Sequence, residues 1–150
     1  VTSITNPITV DHTILRQHLL PGLLKLLASN RHHDLPQSVY ELGTVVRDHR
    51  NAERLAFITA ERSGGFAAVR GRIQALCNDL GVKDWRAEPL EAGDGPWLAG
   101  RGAKILIGET WVGCFGELDP AVSSVYELRV PLNAAELDVD ALMAAVSDPV

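Results

Sequence analysis

Apolar residues recur along this chain in two different periods, and the switches between them mark out its elements. Phe66, Val69, Ile73, Leu76, Cys77 and Leu80 follow three- and four-residue steps. That spacing predicts a helix over 66–80, with Gly81 where a C-terminal cap belongs. A second helix is expected to start near Pro21, since proline costs about 3 kcal/mol or more inside a helix but fits a first turn. Leu23, Leu24, Leu26 and Leu27 give that helix a wide apolar face, and Asn30 is a plausible stop. β-Branched runs over Val39–Val46 and Leu55–Ala60 read as an antiparallel pair joined by a loose charged turn over 47–53, before Ser63-Gly64-Gly65 breaks the chain.

Further along, Trp85–Leu90 reads as a strand and 91–102 as a loop punctuated by Gly93, Gly95, Pro96 and Gly100. Lys104–Ile107 and Trp111–Phe115 flank Gly108-Glu109-Thr110 and predict a hairpin, because glycine takes the positive φ a tight turn needs. Asp119-Pro120 is an N-cap followed by proline at the first helical position, opening a short helix to about Tyr126. Val130–Leu137 is a last strand, and Asp138 caps a terminal helix through Val146. At the other end, Val1–Val10 is β-rich and ends as a strand at Asn6-Pro7, with Thr13–Arg16 short and extended. Strands and hairpins with interspersed helices, rather than strict βαβ alternation, predict an α+β domain: an antiparallel or mixed sheet flanked by helices.

The 150 residues suit a single domain with one sizeable core. The chain starts at Val1, has its one methionine at Met143 and lacks a terminal signature at either end, all of which suggest a fragment. The net charge of −5, with no basic run, argues against a free-standing nucleic-acid binder and against a direct grip on nucleic acid by this domain alone. Cys77 and Cys114 could pair in a disulfide, but their spacing and apolar flanks read better as two buried thiols in a reducing compartment. No signal-peptide pattern or long apolar run is present, so no membrane partner is expected and the chain reads as cytoplasmic.

Several clusters carry possible chemistry. His32-His33-Asp34 could suggest a metal site, but adjacent histidines point apart and no second pair completes a ligand set, so a solvated loop is preferred and no metal is expected. His12 and His18 read as packing or interface residues. Glu117 and Asp119 could hold Mg²⁺, although Pro120 favours Asp119 as a cap. Gly100-Arg101-Gly102 could cradle an anion, although a turn is the simpler reading.

Four segments, in order, resemble the catalytic-like domain in the C-terminal part of the phenylalanyl-tRNA synthetase beta chain, archaeal and eukaryotic type. They are Thr5-Asn6-Pro7-Ile8-Thr9 with the run from Thr13 to Leu24; the run from His33 to Val46; Gly113-Cys114-Phe115-Gly116-Glu117-Leu118-Asp119-Pro120-Ala121-Val122; and Pro131 to Leu142. The resemblance implies a class II synthetase-like core, a fragment of a longer beta chain, and a structural rather than catalytic role. Its implied partner is the alpha subunit, with tRNA reached through the complex. No cofactor is implied for the domain itself, while the complex would use ATP and Mg²⁺. The alternative is a free-standing ligand-binding or regulatory domain with a relic synthetase pocket.

Catalytic members of that fold clamp the triphosphate with arginines, one on a strand reading Phe-Arg-x-Glu and one opening the last helix. The matching strand here reads Tyr40-Glu41-Leu42-Gly43, so in register Glu41 stands in place of the cation. Glu41 could equally be an outward residue between inward Tyr40 and Leu42. After Arg129 the chain has no glycine, lysine or arginine and offers Glu136, Asp138 and Asp140 instead. No catalytic residue is therefore expected. The first class II motif ends at a proline by the subunit interface, so the resemblance implies contacts through Asn6, Pro7, Arg16, Leu20 and Pro21, while Leu15, Leu19, Leu20 and Leu23 could also be ordinary core.

Overall fold

A computed structural model describes residues 18–91 and 93–147. The predicted strand at 1–10 and the extended stretch at 13–16, with Asn6, Pro7, His12 and Arg16, lie outside the described residues. Helix α1 (Leu20–Ser29) leads into the hairpin of β1 (Gln37–Arg47) and β2 (Arg50–Ala60), followed by α2 (Gly65–Asp79) and β3 (Trp85–Pro89). Then come β4 (Trp97–Ile107), β5 (Thr110–Leu118), the short α3 (Pro120–Ser123) continuing as a 3-10 turn through Tyr126, β6 (Leu132–Asp138) and α4 (Val139–Ser147). The strands form one six-stranded sheet in the order β1-β2-β6-β5-β4-β3. Every neighbouring pair is antiparallel, which settles the choice between antiparallel and mixed for the described strands.

Both faces of the sheet are covered. On one, Leu19, Leu20, Leu23, Leu24 and Leu27 pack on Val45, Ala56, Ile58, Ala60, Leu132 and Ala134. On the other, Val69, Ile73 and Cys77 of α2 and Leu142 of α4 pack on Phe57, Ile105, Phe115, Ala135 and Leu137. The central strand β6 therefore buries every residue from Leu132 through Leu137, where a strand solvated on one face would alternate. Asp119 caps α3 by accepting the Ala121 N–H at 2.9 Å, and Asp138 accepts the Ala141 N–H at 3.0 Å at the start of α4. Both caps agree with the sequence reading.

Two expectations change. The charged stretch 47–53 is no loose loop: β1 and β2 pair continuously to Arg47 and Arg50, joined by Asp48 and His49 alone. Both residues have positive φ, 51° and 65°, the backbone of a two-residue primed turn. Asp-His lacks the glycine that normally marks such a turn, which hid it. Residues 97–102 also belong to β4 rather than to a loop, with a register irregularity between Trp97 and Gly102. Gly116, opposite Gly102, has φ +153°, and a Cβ there would run into the Arg101 carbonyl oxygen. Gly100 and Arg101 fall within that irregularity, while Gly102 is paired with Gly116 and its carbonyl accepts the Leu90 N–H at 2.9 Å.

Candidate functional site on the sheet

Strand pairing sets a row of residues across the face that carries α1. Glu41 on β1 is opposite Ala56 on β2, Ala56 is opposite Glu136 on β6, and Glu136 is opposite Cys114 on β5. Directly opposed residues share a face, so Glu41, Glu136 and Cys114 stand on the same side of the sheet. The alternation on β1 is the reverse of the outward reading of Glu41. Tyr40 and Leu42 are the solvent-facing residues, 76% and 63% exposed, because they lie on the edge strand on the opposite face.

Glu136 is buried, with 4% exposure, and its carboxylate is held from three directions. Oε1 accepts the backbone N–H groups of Leu19 and Leu20 at 3.0 and 3.2 Å, so a side chain from the sheet supplies the acceptor at the start of α1. Oε2 accepts from Arg54 Nε at 3.0 Å and lies 3.5 Å from His18 Nδ1. Burial alone would raise the pKa of this carboxyl. The His18 hydrogen bond, the Arg54 charge and the Leu19 amide outweigh it and hold the group below its ordinary value. Glu136 is therefore an internal tie between helix and sheet. Nothing in the sequence pointed to its partners, which lie 82 and 117 residues away.

Beside this tie a cavity of about 850 Å³ opens on the same face. Trp97, Trp111, Tyr126 and Leu118 supply aromatic and apolar wall, and Lys104 Nζ lies 4.7 Å from the centre of the Trp111 ring. The charged lining groups are Arg47 and Arg54 against Asp48, Asp94, Glu136 and Asp138. With Arg54 committed to Glu136, Arg47 alone faces the remaining carboxylates among the lining residues. A triphosphate needs convergent cations, and this lining would repel one. Cys114 lines the cavity as a free thiol; burial pushes it up, opposed in part by a hydrogen bond with Trp111 and the Arg54 charge. Cys77 is also free, and burial in the opposite core raises it too.

Of the five interface residues expected from the sequence, Leu20 and Pro21 fall within the described residues, and both line this cavity at the start of α1. Leu20 is buried at 6% and Pro21 is exposed, so Leu20 serves the core first. Glu117 and Asp119 do not form a metal cage: the Asp119 carboxylate is spent on its cap, and among the described residues no three His, Cys, Asp or Glu side chains gather as ligands. No helix among the described residues is long and apolar enough to cross a membrane.

Comparison with known proteins bears on this geometry. The family model for the phenylalanyl tRNA synthetase beta chain CLM domain matches residues 1–139. The phenylalanine–tRNA ligase beta subunit of Archaeoglobus fulgidus is 39% identical over 138 residues, covering 92% of this chain and 25% of that protein. That of Methanothrix thermoacetophila is 36% identical with the same coverage. The chain thus spans about a quarter of the length of the curated relatives it matches. Among solved structures, pyrrolysyl-tRNA synthetase from Desulfitobacterium hafniense is similar with a TM-score of 0.74 at 15% identity, covering 96% of this chain and 61% of that one. A second structure from that organism, PylSc, gives 0.73 at 13% identity, covering 85% and 48%. At such identities the likeness is one of fold: an antiparallel sheet with flanking helices of the class II synthetase type.

Proposed function

The chain belongs to the phenylalanyl-tRNA synthetase beta chain CLM-domain family, and from that premise we propose that it is a non-catalytic structural domain of a phenylalanine–tRNA ligase beta chain. It supports an alpha subunit that activates phenylalanine with ATP and Mg²⁺ and charges tRNA in the cytoplasm. The observation that carries this reading is the row Glu41–Ala56–Glu136. Carboxylates stand where a phosphate-handling sheet would need cations, and the nearest arginine, Arg54, is held by one of them. Such a floor stabilises the domain and leaves a reacting phosphate without a counter-charge.

Attachment to the alpha subunit runs through the segment up to the start of α1, with Asn6, Pro7, Arg16, Leu20 and Pro21 as contacts. The test is co-expression with an alpha subunit of this family followed by size exclusion. Co-elution as one species is expected; a folded chain that elutes alone contradicts the reading.

One observation favours a second reading, a ligand-binding domain with a relic pocket: the cavity keeps a wall of Trp97, Trp111 and Tyr126. Calorimetry with ATP and with phenylalanine separates the two. Micromolar binding by the isolated chain supports the relic pocket, and no heat at millimolar ligand supports the scaffold.

A further inference from the structure

A second cleft, of about 720 Å³, lies at the end of the sheet where β1 and β6 begin and β2 ends. Three separate segments build it. Arg31 follows α1, Arg62 follows β2 and Arg129 precedes β6, and a backbone hydrogen bond from the Glu61 N–H to the Pro131 carbonyl at 3.3 Å holds the last two segments together. His32 and His33 complete the polar rim. The lining carboxylates are Asp34 and Glu127, and Glu127 faces Arg31 at 3.5 Å. Arg62 and Arg129 are exposed, and among the described residues neither has an ion-pair partner. Arg62 and Arg129 thus bring unpaired positive charge to one cleft, in contrast to the carboxylate-rich cavity beside α1.

We propose that this cleft receives the phosphodiester backbone of an RNA helix, an inference that rests on the reading of the chain as part of a tRNA-charging assembly. Exposed guanidiniums on separate loops match phosphates spread along a backbone better than one enclosed phosphate, which a buried donor nest would hold. The lining has no Trp, Tyr or Phe, and its only rings, His32 and His33, stand on the exposed rim, so it offers little platform for stacking an unpaired base. Recognition is therefore by charge and shape, without sequence preference, and falls steeply with salt. The linear sequence hid the cluster because its arginines are dozens of residues apart.

The test is fluorescence anisotropy of a labelled tRNA transcript with the chain, between about 50 and 200 mM salt. R62E/R129E is compared with K83E/R101E, which makes the same charge change at exposed positions outside the cleft. R62Q/R129Q guards against a folding failure of the charge-reversed variant. The expected result is at least a tenfold loss for R62E/R129E, a smaller loss for R62Q/R129Q, and about a twofold change or less for the control. The slope of log affinity against log salt should fall by about one for each phosphate contact removed. Equal losses in both charge-reversed variants, no binding by the unaltered chain at the lowest salt, or displacement of the tRNA by millimolar inorganic phosphate would each overturn the proposal. Co-elution of R62E/R129E with the alpha subunit is measured separately, so loss of the RNA contact and failure of the scaffold reading give different results.

Discussion

Arg54 and Glu136 meet across neighbouring strands, Nε to Oε2 at 3.0 Å, with 14% and 5% of their side chains exposed. Arg54 is opposite Asp138 in the β2–β6 register, so its side chain leans diagonally by two residues to reach Glu136. The same carboxylate takes the first amides of α1, so one acidic residue joins β2, β6 and the helix on that face. The pair ties α1 to the sheet and commits Arg54, which leaves Arg47 to face Asp48, Asp94 and Asp138 among the described lining residues.

Removing one partner leaves a buried charge uncompensated. R54M is expected to destabilise the fold by about 2–4 kcal/mol, discounted because Arg54 keeps some contact with water. The double variant R54M/E136L should recover less than half of that loss, since the Leu19 and Leu20 amides would then have no carboxylate to bond. Urea denaturation of the two variants beside the parent chain measures both effects. Full recovery in the double variant would show that the helix does not depend on Glu136.

The depressed pKa of Glu136 also fixes a pH dependence. As pH falls through the ordinary value of 4.5, the unfolded chain takes up a proton at this position before the folded chain does. The contribution of Glu136 is thus fully present above about pH 5 and is lost as pH drops through the folded value. E136Q should show a flatter decline in urea midpoint between about pH 5 and pH 3 than the parent, although it is less stable near neutrality. Parallel declines would contradict this assignment.

The Asp48-His49 turn places two side-chain-bearing residues in the left-handed region. Each costs on the order of 1 kcal/mol relative to a residue suited to it. D48N/H49G supplies the residues such a turn favours and is expected to raise stability by about 0.5–1 kcal/mol, or a few degrees in Tm. A lower Tm would mean that Asp48 or His49 makes contacts worth more than the backbone strain.

Much of the fold was legible where local chemistry decides it. The helix over 66–80 follows from apolar periodicity, and the Asp119 and Asp138 caps from a side-chain oxygen placed just before a helix. The β4–β5 hairpin was expected from Gly108, whose φ is +59°. The β1–β2 turn was misread because Asp48 and His49 adopt a glycine-like backbone under the pull of two long paired strands. Burial on β1 was ambiguous for another reason: an edge strand leaves apolar Tyr40 and Leu42 in water, so hydrophobicity did not report the inward face. The Glu136 tie and the arginine cleft were beyond local reading. Each joins residues that only the sheet order brings together.

The most direct test of the central claim is phenylalanine-dependent ATP–pyrophosphate exchange by the purified chain, with an active ligase of this family as positive control. A sheet floor of carboxylates, with Arg54 sequestered, predicts exchange no faster than the no-protein background at saturating ATP, Mg²⁺ and phenylalanine. Exchange that scales with the concentration of the chain, and survives removal of any contaminating ligase, would contradict the structural role assigned to it.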